Sequence, residues 1–545
     1  MPGPYHGLSR PFYERSPRLL ILFVILAGAA GLFFGLPNAL LHLPPLALLF
    51  PFCLYLLSGM AGTGRQALIT GWLAGLVANA ACLYWLVYPM NDVAGIPFTL
   101  ALPTTLLLHA CLACYSALTV YAMWGFRGFF VTQNPWLAVL PPLLGALAFA
   151  GLEVAGGHIL SGFPWLALGS ALAFDPFWVQ TASLYGGHGL GAVMACAAAC
   201  TAAAFQAGAG QSRKILLITA FLAPCLLAAH GLARWHYEGP KDEPLLSLVM
   251  VQGNIDQNQK WAPEFQKSTL DHYINLSRSA LAKAGRDNPD KPVSLLIWPE
   301  TAMPFYYPLH REYARELKNF TKETGIHLAF GAVGVERVKG RDELRNRFLL
   351  LPPTDDMAIW YDKRHLVPFG EYNPLATFLP YLQKLMQGVD FTPGHSASPL
   401  SLPLREKQEL SLGVLICYEV IFPELAAQSV AEGAQIFISA SNDGWFRRSS
   451  APFQHLAHAV LRAVEQQRPL VRATNTGISV VISDRGVIEE HIDGMFTSGA
   501  LQAFVRPGKG YSVYHRLRPL PELILLAAAF AGLALAIRKS YLIKP

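Results

Sequence analysis

A chain of 545 residues in which 53% of side chains are hydrophobic and only 14% charged is too apolar for an ordinary soluble enzyme and too long for one domain. Ionisable residues are sparse from 19 to 233 and ordinary in number from 238 to 518, so a membrane part followed by a soluble part is expected. The net charge of +6 comes without a basic stripe carrying interleaved aromatics, and no nucleic-acid partner is expected.

Eight apolar runs approach the ~20 residues needed to cross ~30 Å of hydrocarbon. They lie near 18–37, 39–59, 66–88, 97–124, 134–155, 184–205, 214–234 and 520–537. Arg10, Arg15 and Arg18 precede the first, as in a secretory signal, but the run is too long for one and reads as a retained helix. With a cytoplasmic N-terminus, the inner segments hold Arg10, Arg15, Arg18, Arg65, Arg127, Arg213, Lys214, Arg538, Lys539 and Lys544. The alternate loops, near 38, 89–96 and 156–183, hold no lysine or arginine. By the positive-inside rule both termini are cytoplasmic and the segment before the last span lies outside, in a bacterium in the periplasm. The expected organisation is a seven-helix transmembrane region at 1–235, an extracytoplasmic domain at 245–506, and an eighth helix with a cytoplasmic tail at 518–545.

Within the first region, 156–183 is apolar and aromatic, but its Gly and Pro residues discourage a straight span. An outer re-entrant or interfacial segment is expected, with Gly162, Phe163, Pro164 and Trp165 meeting acyl chains; the bland alternative is an aromatic belt at headgroup level. Glu153 is the one acid inside the fifth span, near its outer end, where a solvated carboxylate is the simplest account.

Seven of the eight cysteines, Cys53, Cys82, Cys111, Cys114, Cys196, Cys200 and Cys225, fall within predicted spans, where a thiol acts as a small apolar side chain. Cys417 alone lies in the external domain, unpaired in a compartment that favours pairs.

In that domain short apolar runs alternate with amphipathic segments. Strands are expected at 245–255, 293–300, 326–335, 346–352, 410–419, 434–442 and 477–484, and helices at 262–284, 309–324, 423–432 and 453–467. Several strands are apolar on both faces, so an α/β sandwich with buried sheets is expected. Three polar residues sit at strand ends: Glu300 closes VSLLIWPE, Lys363 follows MAIWYD, and Cys417 ends LSLGVLIC. A carboxylate, an ammonium and a thiol are the parts required for acyl transfer through a thioester. A strand-end acid or lysine alone is usually a solvated surface group; the combination with an unpaired cysteine is far less often accidental.

These residues carry a resemblance. WPE at 298–300, Y-D-K-R-H-L-V-P-F-G-E-Y at 361–372 and G-V-L-I-C-Y-E at 413–419 resemble the three motifs of the nitrilase superfamily, whose members use a Glu-Lys-Cys triad in an αββα sandwich. VQGNI at 251–255, GFPWL at 162–166 and SNDGWF at 441–446 extend the resemblance, over nearly the whole chain, to the apolipoprotein N-acyltransferase branch of that superfamily. The resemblance implies Glu300 as general base, Lys363 as oxyanion stabiliser and Cys417 as nucleophile, with Glu371 positioning Lys363. It further implies that Tyr418 and Glu419 shape the acyl pocket and that Trp261 lines it; plain core packing is the competing reading for Tyr418. The implied reaction is ping-pong: Cys417 takes an acyl chain from a glycerophospholipid, and the α-amine of a diacylglyceryl-cysteine at an apolipoprotein N-terminus removes it. Eight spans suit such lipid-borne substrates, whereas one anchor would tether a soluble amidase.

No cofactor is expected, and no metal: His455 and His458 share no ligand spacing with cysteines or paired carboxylates. A monomer in the bacterial inner membrane is expected. Two rival readings are a membrane-tethered amidohydrolase that passes the acyl group to water, and a transporter or receptor with a ligand-binding external domain. Sparse intramembrane charge and the absence of symmetrical broken half-helices stand against the latter.

Overall fold

The computed structural model describes residues 17–93, 95–129, 134–235, 245–374, 390–404 and 408–542, so Arg10, Arg15 and Lys544 lie outside the described residues. Two compact units divide the chain. One comprises Met1–Val87, Phe98–Tyr237 and Ser512–Pro545; the other comprises Tyr88–Pro97 and Glu238–Tyr511.

The first unit is helical. Its longer helices are α1 (Pro17–Gly35), α2 (Leu49–Met60), α3 (Gly64–Cys82), α4 (Phe98–Phe129), α5 (Leu140–Gly156), α6 (Ala182–Gln206), α7 (Gln211–Trp235) and, at its far end, α12 (Leu520–Leu542). Among the described residues six helices are long and apolar enough to cross a membrane, or seven if a bent pair counts as one span. The count of eight expected from the sequence is therefore not reached. The second expected run, 39–59, is the one that falls short, and its first residues explain why. Asn38 organises a loop, its side chain accepting the amides of Leu40 and Leu41 and donating to the carbonyls of Phe33, Leu36 and Leu41. The helix then starts only through a 3-10 turn at Pro44–Leu48, where prolines suit a helix entry but not its interior. The third run breaks after α3 and continues as Tyr84–Asp92, bent by 63°.

Small residues let these helices approach closely: Ala122, Phe126, Ala148, Leu152 and Ala529 form a core shared by α4, α5 and α12. At one end of the unit several polar groups gather. Lys539 donates to the carbonyl of Trp124 at 2.9 Å and lies 3.8 Å from its ring centroid; Arg127 lies 3.8 Å above the ring of Tyr55.

The segment after α5 is not one straight helix. It runs through 3-10 turns at Ile159–Ser161, Leu168–Leu172 and Val179–Thr181. Trp165 is 3% exposed, 4.9 Å from the ring of Trp85 and stacked on the half-buried Phe163 at 5.7 Å. Gly162 and Pro164 are also buried, while Ile159 and Leu160 face outward. Gly162 has φ +81°, and a Cβ there would sit 2.0 Å from the carbonyl oxygen of Gly157, so the turn requires glycine. Glu153 is not a solvated surface acid: its Oε1 accepts the amide of Leu168 at 2.9 Å, tying this segment to α5.

Among its described residues the second unit has thirteen strands in two sheets. The first sheet runs in the order β13 (Gly499–Val505), β1 (Leu246–Gln252), β2 (Leu295–Ile297), β4 (His327–Val338), β5 (Arg341–Leu351), β6 (Ile359–Asp362), with β3 (Met303–Tyr307) paired to β4. The second runs β12 (Ile488–His491), β11 (Val480–Ile482), β10 (Leu470–Thr474), β9 (Ile436–Ser441), β8 (Glu409–Ile416), β7 (Leu400–Pro403). The central pairings β1–β2, β2–β4, β8–β9 and β9–β10 are parallel, which is why these strands read as unbroken apolar runs.

Alternation sorts β1 between two cores. Leu246, Leu248 and Met250 point into the layer between the sheets, with Leu412, Val414 and Ile416 of β8 and Ile436 and Ile438 of β9. Val249 and Val251 face the other way, toward Leu270, Tyr273 and Ile274 of α8 (Pro263–Asp287) and Leu317 and Phe320 of α9 (Arg311–Thr324). Helices α10 (Pro423–Ala431) and α11 (Ala451–Gln466) pack on β8 and β10 of the second sheet. The layers are thus α-β-β-α. The seven expected strands, the strand expected before Lys363 (β6) and the four expected helices are present with shifted ends; β3, β7, β10, β12 and β13 are additional.

Candidate active site

Glu300, Lys363 and Cys417 each follow the carboxyl end of a strand. Glu300 follows β2 by three residues, on a turn closed by Trp298 N donating to Ala329 O at 2.8 Å and Gly331 N donating to Pro299 O at 3.1 Å. Strand β4 must pass this turn closely. A Cβ on Gly331 would lie 2.3 Å from Thr301 N and 2.8 Å from Glu300 Cα. Lys363 directly follows β6, with its amide on Asn346 O of β5 at 2.8 Å. Cys417 directly follows β8 and opens a 3-10 turn, Cys417–Ile421.

The two acids bind Lys363 unequally. Lys363 Nζ donates to Glu371 Oε1 at 2.8 Å and stands 3.6 Å from Glu300 Oε1. Glu371 Oε2 accepts the amide of Val367 at 2.8 Å, so both its oxygens are engaged in holding the loop and the ammonium. Asn346 Nδ2 donates to Glu300 Oε1 and to Glu371 Oε1, each at 2.8 Å, and spaces the two carboxylates. Lys363 is 1% and Glu300 7% exposed. Burial alone would lower the lysine's pKa, but Glu371, Glu300 and Cys417 outweigh it and hold the ammonium charged.

Cys417 is partly exposed. Burial raises its pKa, the charge of Glu300 adds to the rise, and Lys363 opposes it without prevailing. The resting group is therefore a thiol, although Lys363 alone favours the thiolate. Such a thiol becomes a nucleophile by handing its proton to a nearby carboxylate as it attacks, and an ammonium fixed beside it can receive the oxyanion that forms.

Tyr418 and Glu419 directly follow the nucleophile and make different contacts. Glu419 is fully buried: Oε1 accepts Arg364 N at 2.7 Å and Tyr361 Oη at 2.8 Å, and Oε2 accepts Ile416 N at 2.8 Å. It braces the Lys363 loop against the end of β8. Tyr418 packs among rings, 5.1 Å from Phe422 and 5.8 Å from His365. Trp261, in the turn before α8, is 47% exposed. Gly162, Phe163, Pro164 and Trp165 belong to the other unit.

Residues 250–506 match the family model described as carbon-nitrogen hydrolase, and residues 30–200 match the apolipoprotein N-acyltransferase N-terminal domain. The apolipoprotein N-acyltransferase of Geobacter metallireducens is 34% identical over 98% of this chain and 98% of its own length. The chain belongs to the apolipoprotein N-acyltransferase family. A second member, from Azotobacter vinelandii, is 33% identical over 95% of both chains. Among solved structures, Saccharomyces cerevisiae Nit3 of the nitrilase superfamily aligns at TM-score 0.36 and 18% identity, covering 52% of this chain and 98% of that one.

Two residues of this family member's site escaped the reading of its sequence. Asn346 sits inside an expected strand, NRFLLLP, and only its burial at 5% exposure between two acids marks it. Lys260 precedes α8, where a lysine is ordinarily solvated, but it is 1% exposed. Burial pushes its pKa down to about 8, and the charge of Glu300 limits the fall.

Proposed function

We propose that the chain is a membrane acyltransferase that N-acylates apolipoproteins, carrying the acyl group from a glycerophospholipid on Cys417. The observation that supports this most is the near full-length match to apolipoprotein N-acyltransferases in a chain that also groups Glu300, Lys363 and Cys417 at neighbouring strand ends. Glu300 takes the Sγ–H proton as sulfur attacks the ester carbonyl carbon. Lys363 neutralises the oxyanion, and the intermediate collapses with cleavage of the C–O bond, the lysophospholipid alkoxide receiving the proton back from Glu300. In the second half the neutral α-amine of the diacylglyceryl-cysteine attacks the thioester carbon, Glu300 accepts the amine proton, the C–S bond breaks, and the thiolate is reprotonated. Glu371 keeps Lys363 in place, Tyr418 and Glu419 shape the acyl pocket beside the nucleophile, and Trp261, with GFPWL at 162–166, meets acyl chains.

Both termini are cytoplasmic and the catalytic domain, 245–506, is periplasmic. Eight crossings result if Pro44–Met60 and the bent α3 each count as one. Two features support this topology. Arg127 and Lys539, assigned to inner segments, gather at one end of the helical unit. The lysine-free loop 89–96, assigned outside, falls in one compact unit with the catalytic domain, Asp92 pairing with Arg447 through two contacts of 2.7 Å. A monomer suffices for this chemistry. Purified protein given phospholipid and a synthetic diacylated lipopeptide should yield triacylated lipopeptide; release of free fatty acid instead would favour the amidohydrolase reading.

A further inference from the structure

Behind the nucleophile lies a buried charged cluster that the reaction above does not use. His455 of α11, Asp443 after β9 and Arg472 of β10 are each fully buried. His455 Nδ1 lies 3.0 Å from Asp443 Oδ1 and 3.0 Å from Arg472 Nη2; Arg472 Nη2 donates to Asp443 Oδ2 at 2.6 Å, and Ser441 Oγ donates to Asp443 Oδ1 at 2.8 Å. The remaining ring nitrogen, Nε2, is 3.0 Å from the backbone carbonyl oxygen of Cys417.

A histidine held by an aspartate and aimed at a cysteine invites reading as a Cys-His-Asp triad. The proton inventory forbids it. A carbonyl oxygen only accepts, so Nε2 must carry hydrogen whether the ring is the Nε2–H tautomer, with Nδ1 accepting from Arg472, or an imidazolium facing Asp443. In neither state does Nε2 hold a lone pair for the thiol proton, and its partner is the main chain, not Sγ. The main chain there needs holding: Cys417 has φ +50°, a left-handed conformation that side-chain-bearing residues rarely adopt and that costs on the order of 1 kcal/mol or more.

We propose that His455, oriented by Asp443 and Arg472, is a positioning residue for Cys417: its Nε2–H clamps the Cys417 carbonyl and keeps the nucleophile in the left-handed turn that presents Sγ to Glu300 and Lys363. The proposal rests on Cys417 being the nucleophile. Asp443 is suited to its part, because Arg472 and His455 outweigh the effect of burial and hold its pKa at about 2, so it stays charged throughout the working pH range.

Glutamine and methionine have similar length, but only glutamine offers an N–H to the carbonyl. His455→Gln and His455→Met, reconstituted as the full chain, should both retain the wild-type KM for phospholipid. Single-turnover acylation of Cys417 should fall about 100-fold in His455→Met and recover to within about 10-fold of wild type in His455→Gln. Alkylation of Cys417 by iodoacetamide, read by peptide mass, should follow the same order without any lipid. Equal rates for the two folded variants, or a folded His455→Gln as slow as a Cys417→Ser control, would overturn the clamp. If His455→Met does not fold, the rate of His455→Gln decides alone. A wild-type chain that alkylates at Cys417 but is never acylated by phospholipid would instead overturn the catalytic reading on which the clamp depends.

Discussion

Glu300 and Glu371 both lie within reach of Lys363, and their bonds divide the work between them. Glu371 spends its oxygens on Lys363 and the Val367 amide, whereas Glu300 makes one close bond, from Asn346, and stands off from the ammonium. Glu300→Gln should therefore abolish acyl-enzyme formation, while Glu371→Gln, which loosens the lysine, should slow it by about 10- to 100-fold with labelling still measurable. Normal labelling of Glu300→Gln would assign the base elsewhere. Lys260 sets stability against activity. Below about 8 both folded and unfolded states hold its proton, and the fold bears the whole desolvation cost; between about 8 and 10.5 only the unfolded state binds it, so stability rises with pH. Lys260→Met should accordingly stabilise the catalytic domain at pH 7 by roughly 1–3 kcal/mol in a denaturation scan, and slow acylation by removing a positive charge from beside Glu300. A destabilised variant would show that the ammonium makes bonds worth more than its burial.

At the scale of elements, what the sequence shows best is the long parallel strands. Leu410 to Ile416 and Val293 to Trp298 are apolar because they are covered on both faces, and their ends expose Cys417 and Glu300 as polar residues where a run stops. The strands that escape notice lack that signal. Strand β12, Ile488–His491, is exposed at every position, and β10 carries the buried Arg472 inside a five-residue run. Asn346 and Lys260 were illegible for a related reason: their roles come from burial beside acids distant in sequence, which no local pattern encodes. The inward packing of Trp165 was hidden likewise, since an apolar aromatic segment looks the same whether it faces lipid or another tryptophan. Close approaches give this scale its prediction. Gly331→Ala would drive a methyl group against Thr301 N and displace the Glu300 turn, so acylation should fall by about 100-fold with the helical unit intact. An active, normally folded Gly331→Ala would mean that the turn tolerates a shift of this size.

For the whole molecule, the division into an apolar helical part and an α-β-β-α domain was readable from charge distribution and strand spacing, whereas the shapes of the individual spans were not. Length of apolar run does not distinguish a straight span from one shortened by Pro44 and Pro45 or bent after Cys82. The proposed topology predicts that a reporter active only outside the cytoplasm is silent when fused after Lys539 and active when inserted at 340, in the β4–β5 turn; the opposite pattern would invert the chain in the membrane. The central claim concerns a single sulfur atom. Purified protein incubated with phospholipid alone, then digested and weighed, should carry one acyl chain on the peptide containing Cys417, removable by hydroxylamine and discharged by a diacylated lipopeptide far faster than by water. A Cys417 peptide that stays unmodified while lipopeptide is still acylated would contradict the account.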